Sequence, residues 1–428
     1  MPIRRAAPEA SRSPYAEGDV GPDESRADRL IQAAAAQIAA RGAAAASARS
    51  VAAEAGVSPS AINYNFGAIE QLLLAAYAQG VRDTTAWMAA KRRDLLALPR
   101  TANGAVLALE QVIVAWTGEM RALALLYQEG LAAMAGRGPA ADWTALWREF
   151  WRQTAGDFGL GPMDGRILHL FFESEALYHL SRWSPALEAA ALREQCDLLG
   201  ALWLNAAPGA ATGAAALAER SAGARPVGSI APAAMKIVEA AAEVVETGGL
   251  SGLTHRAVAA RAGVTTGSVT HHFRTIEDLV AGAIRGQVEA MSRAVGEEPS
   301  PASPTSVEQI RSSADLAEAL RFHAVADLPN GPALRRRTLF LAAVRRPELA
   351  GAGAVIRFAQ GGTVRDALGR IFDLEPDALP LLAGVLARLL SPIWFACAAD
   401  PDPRASREAL ADEVVRRLVG RLTVRGGA

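Results

Sequence analysis

The stretch "AGVTTGSVTHHF" at residues 262–273 decides the fold of this chain, because the chain carries it twice. An earlier and imperfect copy, "AGVSPSAINYNF", lies at residues 55–66. A shift of 207 residues aligns the surrounding segments without a gap over about 48 positions, and about a third of those positions are identical. A period near 200 residues is typical of a duplicated domain, since solenoid repeats have periods of roughly 20–50 residues.

The second copy carries the signals of two short helices joined by a tight turn. Thr254 is the expected N-cap of "HRAVAARA", and Thr265 or Thr266 is the expected cap of "GSVTHHF". Between them, Gly263 supplies the sharp turn, because a residue without a Cβ tolerates that backbone. This order predicts a helix-turn-helix unit, whose second helix enters the major groove of DNA.

Both copies resemble the DNA-binding region of TetR-family transcriptional regulators. The shared pattern is a first helix ending in glycine, then "AGV", a short recognition helix with Phe66 or Phe273, and "IEQLLL" or "IEDL" after it. The resemblance covers about 50 residues in each half, and the helical blocks that follow match the family in length and helicity alone. It implies an all-α fold of two TetR-like units, each a three-helix head plus a helical ligand-binding and dimerisation domain.

The family normally works as a homodimer, which suggests a reason for the duplication. The resemblance implies that the second unit replaces the second subunit, so that the chain is an intramolecular pseudo-dimer. Two heads must lie about 34–36 Å or more apart to read half-sites on one DNA face. A linker at 207–232 spans ~90 Å when extended, which suffices. Further homodimerisation, with four heads per assembly, stays open.

The helical periodicity, together with glycine, proline and charge, divides the chain into six parts. They are a disordered tail (1–25), a first helix-turn-helix domain (26–68), a first ligand-binding and dimerisation domain (69–206), a linker (207–232), a second helix-turn-helix domain (233–275) and a second ligand-binding and dimerisation domain (276–424). The segment 296–306, "GEEPSPASPTS", is an expected disordered loop inside the last part.

The composition restricts the function classes. The net charge is −1, so DNA binding must come from local patches and helix ends, not from a basic surface over the whole chain. No phosphate-cradling glycine loop, nucleophile elbow, catalytic triad or metal-spaced set of ligands is apparent, so we expect no enzyme, no metal and no cofactor. The absence of an apolar run of ~18–20 residues and the two isolated cysteines favour a cytoplasmic protein that does not enter a membrane.

Candidate DNA contacts follow from the resemblance and from the chemistry of the side chains. Amide and hydroxyl groups read base edges, tyrosine and histidine contact bases or phosphate, and a capped helix N-terminus directs backbone N–H groups at phosphate. The candidates are Ser47, Arg49, Pro59, Ser60, Ala61, Asn63, Tyr64 and Asn65 in the first head, and Thr254, Arg256, Thr266, Gly267, Ser268, Thr270, His271 and His272 in the second. Because the recognition helices differ, we expect them to read a two-part operator with unlike halves.

Both heads depart from the family pattern. The family usually has lysine where this chain has Ile69 and Ile276, so one phosphate anchor is missing from each head. The first tyrosine of the family pattern is Asn63 in one copy and Thr270 in the other. Fewer cations predict weaker nonspecific binding and a shallow dependence on salt.

Aromatic residues are concentrated in the first half, which contains seven of the eight tryptophans. One interpretation is a hydrophobic core, and another is a pocket for a small hydrophobic or aromatic effector. The candidate pocket residues are Trp116, Tyr127, Trp147, Trp151, His169, Phe172 and Glu175. An effector would change the spacing of the heads and release DNA, which makes a ligand-responsive repressor the first hypothesis. The alternative is a sensor that binds a ligand or sequesters a partner protein after one or both heads have lost DNA binding.

Overall fold

The computed structural model is all-helical in the part of the chain that it describes, as the sequence predicted. It describes residues 25–134, 137–224, 232–248, 252–294, 310–325, 332–358, 360–398 and 400–422, and no strand occurs among them. Nearly all of the predicted tail (1–25) and the whole predicted loop (296–306) lie outside these residues.

The first half is a run of helices that ends before residue 206. These are α1 (Arg26–Arg41), α2 (Ala48–Glu54), α3 (Ser60–Phe66), α4 (Ile69–Leu95), α5 (Ala102–Gly118), α6 (Arg121–Met134), α7 (Pro139–Asp157), α8 (Pro162–Tyr178) and α9 (Pro185–Trp203). A short 3₁₀ turn, Ala43–Ala45, separates α1 from α2.

The rest of the chain begins with α10 (Ala214–Ala224) and continues into the second half. The helices there are α11 (Pro232–Gly248), α12 (His255–Ala262), α13 (Thr266–His272), α14 (Ile276–Ala294), α15 (Ser313–Val325), α16 (Pro332–Val344), α17 (Ala350–Phe358), α18 (Gly362–Ile371), α19 (Ala378–Leu390), α20 (Ile393–Ala396) and α21 (Pro403–Val419). A 3₁₀ turn at Pro347–Leu349 precedes α17.

Side chains placed by the local sequence start several of these helices. The Thr101 hydroxyl accepts a hydrogen bond from the Gly104 amide at 3.2 Å at the start of α5, and Asp402 accepts one from the Ala405 amide at 3.0 Å at the start of α21. Proline lies in the first turn of α7, α8, α9 and α21. It favours a helix start there, because an N–H group in the first turn has no acceptor within the helix. These starts were therefore readable from the sequence.

Each three-helix head packs on the body of its own half in the same way. In the first half α1 lies against α4 and α6, and in the second half α11 lies against α14 and α16. Leu30 and Ile38 of α1 are fully buried in one head, and Ile237 and Val245 of α11 are almost fully buried in the other. The buried stripe of the first helix thus fixes each head to its body.

The two halves also pack against each other through their last helices. Helix α19 lies against α8 and α9, and α21 lies against α9. The indole N–H of Trp203 in α9 donates to the carbonyl of Val414 in α21 at 3.0 Å. A second junction joins α6 to α16. The halves therefore share a continuous helical interface.

The segment 207–232, expected to be a linker, contains more helix than its sequence indicated. Its middle forms the eleven-residue helix α10, which packs against α9, α17 and α19. The buried face of α10 is a stripe of alanines, of which Ala215, Ala218 and Ala222 are at most 5% exposed. Alanine buries little area per residue, but it lets helix backbones approach closely. The connection between the halves is part of the packed structure over this stretch.

A second correction concerns the apolar stretch Ala378–Ala396, which is long and apolar enough to cross a membrane by length and composition. Half of it is buried inside the protein. It is also divided between α19 and α20 by Ser391 and Pro392, and it carries Arg388, which is 1% exposed. These features are those of a core helix between the two halves.

Candidate nucleic-acid interface and aromatic cluster

The second head is a compact frame built from local hydrogen bonds. Thr254 accepts from the Ala257 amide at 3.1 Å and starts α12, and Thr265, one of the two predicted caps, accepts from the Ser268 amide at 3.1 Å and starts α13. Gly263 between them has φ 64° and ψ 38°, the left-handed conformation that glycine adopts without strain. Val269 is fully buried and holds α13 on the head. The turn geometry matches the predicted helix-turn-helix.

The first head has the same plan with different side chains. Ser47 and Ser50 form a reciprocal capping box, with amide-to-hydroxyl distances of 3.0 and 3.2 Å. Gly56 adopts φ 66° at the turn. Helix α3 begins at Ser60 after Pro59, which supplies no side-chain cap. The two heads therefore present equivalent helices that start in chemically different ways.

Most of the predicted DNA contacts lie on exposed surface around the two recognition helices. In the first head these are Ser47, Arg49, Pro59, Ser60, Asn63, Tyr64 and Asn65, and in the second Thr254, Arg256, Thr266, Gly267, Thr270, His271 and His272, with Ser268 half-buried. Tyr64 is 89% exposed, an unusual state for a large aromatic side chain. Residues at the N-terminal ends of α3 and α13 are thus free to meet a groove.

Ala61 is an exception among the predicted contacts. It is only 6% exposed and belongs to the head's core, so its methyl group does not reach DNA. Its carbonyl accepts a hydrogen bond from the Asn65 side-chain amide at 2.7 Å, one turn further along α3. Our assignment of Ala61 was wrong because the family pattern gives the position but not the direction in which this short helix faces.

Two side chains of the second head escaped the sequence interpretation. The His255 ring lies 2.8 Å, through Nε2, from the carbonyl of Phe273, and so joins the start of α12 to the end of α13. Lys236 on α11 is exposed, and its Nζ lies 3.9 Å from the position of a Cβ on Gly263, beside the turn. The alignment of the two copies could have drawn attention to His255, because the first copy has alanine at the equivalent position.

The starts of α4 and α14 lack the lysine of the family pattern, although at α14 Arg346 donates to the Glu277 carbonyl at 3.1 Å. Ile69 packs against the core, whereas Ile276 remains 40% exposed. At α14, Asp278 accepts from the Thr275 amide at 3.0 Å, and this bond lowers the pKa of Asp278 below its ordinary value. The carboxylate occupies the Thr275 amide just before α14, which would otherwise be open to phosphate.

In the first half, the predicted pocket residues lie inside the helical body, all at most 1% exposed. Four of them form one aromatic cluster: Trp147 stacks 4.0 Å from Phe172 and 4.9 Å from Trp116, and Trp151 lies 5.5 Å from Phe172, all between ring centroids. The expected gathering of aromatic groups is present. The same contacts fit the interpretation as core, so an effector site there stays a prediction.

A polar group borders this cluster. The Tyr127 hydroxyl donates to Glu173 at 2.6 Å, and Arg337 of α16 donates to the other Glu173 oxygen at 3.4 Å. His169 Nε2 lies 3.8 Å from Glu173. Burial, with nearby Arg166 and Arg148 in support, holds the pKa of His169 well below its ordinary value, so the ring is neutral.

Several donors in this region lack a hydrogen-bond partner among the described residues. They are the indole N–H groups of Trp116, Trp143, Trp147 and Trp151 and the side-chain amide nitrogen of Gln128, and both ring nitrogens of His169 are also unpaired. Buried polar groups are normally paired, so such a concentration calls for an explanation. Water or a ligand that carries acceptor groups would satisfy them.

Glu175 does not belong to this cluster, contrary to our expectation. Its carboxylate faces the second half, where it accepts from Arg357 at 2.7 Å and from Arg388. Both oxygens are therefore occupied by arginine and cannot orient an effector. Sequence spacing could not reveal this, because the partners lie 182 and 213 residues away.

Among the described residues, no group of three or more histidine, cysteine, aspartate or glutamate side chains is placed to hold a metal ion. Both cysteines are buried and free. Burial raises the pKa of the Cys196 thiol well above its ordinary value, so the reactive thiolate is disfavoured.

Comparison with known proteins assigns the heads to a family. The family model described as bacterial regulatory proteins, tetR family, matches the chain twice, at residues 30–76 and 237–283. Each match covers a helix-turn-helix head and the first part of the helix that follows it, α4 or α14. No curated protein matches the chain. Both heads are therefore tetR-family DNA-binding regions of bacterial regulatory proteins, and the chain carries two such units in tandem.

Proposed function

We propose that this DNA-binding regulator is a cytoplasmic, ligand-responsive repressor whose two unlike heads read the two parts of one operator. The carrying observation is the pair of recognition helices, each held on a capped and buried frame, with different exposed side chains. One helix offers Asn63, Tyr64 and Asn65, and the other offers Thr270, His271 and His272. A homodimer reads a palindrome because its heads are identical, so unlike heads favour an asymmetric site.

The fused chain supplies both heads by itself in this proposal. The packing of α8 and α9 against α19 and α21 supports an intramolecular pseudo-dimer, because the last helices of each unit face each other. The proposed domains follow the helices: heads at 26–68 and 233–275, and ligand-binding and dimerisation domains at 69–206 and 276–424.

We place the effector in the aromatic cluster of the first half. Its ligand would be a small aromatic or hydrophobic molecule with hydrogen-bond acceptors. The indole N–H groups of the three tryptophans in the cluster, and that of Trp143 one turn before Trp147 on α7, have no hydrogen-bond partner among the described residues. Entry would require the packed rings to separate. A ligand that accepts hydrogen bonds from these indoles would stabilise the arrangement of helices that it binds, and so shift the domain toward that arrangement.

Helix α6 offers a route from this cluster to the first head. Tyr127 and Gln128 border the cluster. The next residue, Glu129, accepts from the Ala43 amide at 3.2 Å, in the 3₁₀ turn that follows the head's first helix. Arg345 of the second half binds Glu129 at 2.7 Å and donates to the carbonyl of Ala39 at 2.8 Å. A shift of α6 on ligand binding would therefore move the first head. The contacts of the head with DNA would then differ between the free and the ligand-bound states, as allosteric release of DNA requires.

The test is binding of the full chain to a DNA fragment from directly upstream of its own gene, with Arg49→Ala and Arg256→Ala beside the wild type. Each arginine is exposed at the start of the second helix of its head. We expect one chain per site, an asymmetric footprint and loss of affinity in each variant. Arg152→Ala is the matched control, because that arginine is exposed on α7, outside both heads.

Loss of one phosphate contact should also reduce the salt dependence of binding, by about 0.9 in the slope of log K against log salt. If a single variant matters, only one head reads DNA. If the wild type binds no fragment at low salt, the repressor proposal fails. The alternative then applies, a sensor that has lost DNA binding, which the absence of the lysines at Ile69 and Ile276 favours.

A further inference from the structure

Where the two halves meet, buried negative charge lies on the first half and buried positive charge lies on the second. Nearly buried carboxylates and guanidiniums cross the junction in ion pairs: Glu129 with Arg345 at 2.7 Å, Glu173 with Arg337 at 3.4 Å, Glu175 with Arg357 at 2.7 Å and with Arg388, and Glu188 with Arg357 at 3.1 Å. Every acid in this set belongs to the first half, and every base belongs to the second half.

The centre of the set is a cluster of Glu175, Glu188, Arg357 and Arg388, which we call the ion cluster. It balances two carboxylates against two guanidiniums, all at most 5% exposed at the side chain. Burial disfavours the charge on Glu175, but Arg388 and Arg357 outweigh it and hold its pKa at about 2. Glu175 is therefore charged at neutral pH.

Most of the remaining polar atoms of the ion cluster are also occupied, although the Nε of Arg357 has no hydrogen-bond partner among the described residues. Arg388 donates to the carbonyls of Gly384 at 3.0 Å and Arg357 at 3.1 Å. The second oxygen of Glu188 accepts from the amides of Trp183 at 3.2 Å and Ser184 at 3.3 Å at the start of α9. These additional hydrogen bonds offset part of the desolvation cost that a buried ion pair imposes on the interface.

This arrangement discriminates between pairings of the halves. If two first halves met through α8 and α9, Glu175 and Glu188 would face a second pair of carboxylates with no arginine. If two second halves met, Arg357 and Arg388 would face a second pair of guanidiniums. A buried unpaired charge lowers an association constant by roughly 100-fold or more.

The opposite polarity occurs at one edge of the junction. Asp400 of the second half pairs with Arg166 of the first half at 3.0 Å and with Arg148, and the two arginines are 21% and 27% exposed at the side chain. These pairs also join unlike halves, so they favour the same pairing. Their greater exposure makes them weaker than the ion cluster.

We propose that the ion cluster makes the interface selective for unlike halves, so that an acidic first-half face accepts only an arginine-bearing second-half face. The chain then closes on itself, and α10, packed between the halves and joined to α18 by the 2.5 Å ion pair of Glu219 with Arg365, keeps the matching face close. Symmetric homodimers through this face are excluded by charge. The inference concerns assembly and holds whether or not either head binds DNA.

Two full-length variants with one reversed charge each test the proposal. Glu175→Arg leaves three guanidiniums against one carboxylate in the ion cluster, and Arg388→Glu leaves three carboxylates against one guanidinium. Neither chain should close on itself. In an equimolar mixture, however, the first half of each variant matches the second half of the other, so both clusters regain two charges of each sign.

Solution mass is the measurement. We expect the mixture to form a complex of twice the 44.7 kDa of one chain, whereas each variant alone lacks that species. The double variant Glu175→Arg with Arg388→Glu in one chain restores the balance in cis and should return to a compact monomer. Glu149→Arg, on the exposed part of α7, is the matched control and should remain monomeric.

Two results would overturn the proposal. If either single variant stays a compact monomer with the protease resistance of the wild type, the ion cluster does not select the pairing. If the cis double variant is as disrupted as the single variants, the positions tolerate no change and packing, not charge, decides. The cis double variant keeps the proposal testable even when a single variant fails to fold.

Discussion

Acid should begin to destabilise this protein below about pH 6.5, because the surroundings of His179 hold this histidine neutral. His179 Nδ1 lies 2.7 Å from the Thr117 hydroxyl, which itself donates to the Ile113 carbonyl at 2.8 Å, so the ring must donate through Nδ1. Burial is the main cause that lowers the pKa of His179 from 6.5 to about 3, and Arg357 is the next.

The sign and size of the effect follow from this pKa. Below pH 6.5 the unfolded chain binds a proton at His179 and the folded chain does not, so stability falls as the pH falls. At pH 5, which lies 1.5 units below the unfolded value, the loss is about 2 kcal/mol. His169 is buried with a lowered pKa as well and acts in the same direction.

The assay is urea unfolding at pH 7 and pH 5, followed by tryptophan fluorescence, which reports on the first half because seven of the eight tryptophans lie there. We compare the wild type with His179→Gln, which keeps a donor for Thr117 and does not titrate. The variant should lose about 2 kcal/mol less than the wild type between the two pH values. Equal losses would refute the idea that His179 is held neutral by its surroundings.

Three further predictions concern packing, the DNA-facing surface and the thiol. Gly80→Ala should lower the free energy of unfolding by about 1–3 kcal/mol, because the new Cβ would overlap the Trp143 ring, whereas Gly118→Ala, with open space around it, should be neutral or slightly stabilising in thermal melts. Tyr64→Ala should change the free energy of unfolding by less than about 0.5 kcal/mol, since the ring is 89% exposed, yet should weaken operator binding in the same DNA titration. Unchanged affinity would remove Tyr64 from the interface. Cys196 should stay unmodified by a thiol reagent in the native protein and react after denaturation, and prompt native reaction would contradict its burial.

The heads were predictable from the sequence because their signals are local. The cap of Thr254 on the Ala257 amide and that of Thr265 on the Ser268 amide each span three residues, and Gly263 needs only its own backbone conformation. Hydrogen bonds of this range depend on neighbouring residues, so a one-dimensional pattern contains them. The repeat of that pattern 207 residues earlier in the chain indicated the tandem arrangement.

The interface between the halves was decided by the tertiary structure alone. Glu175 looked like a polar group in an aromatic pocket, but its partners Arg357 and Arg388 lie 182 and 213 residues away. Ala61 looked like a DNA contact until the packing of α3 buried it. The sequence determines where helices begin and which faces are apolar, but the direction of a side chain and the partner of a buried charge follow from which helices meet, and that is set by packing over the whole chain.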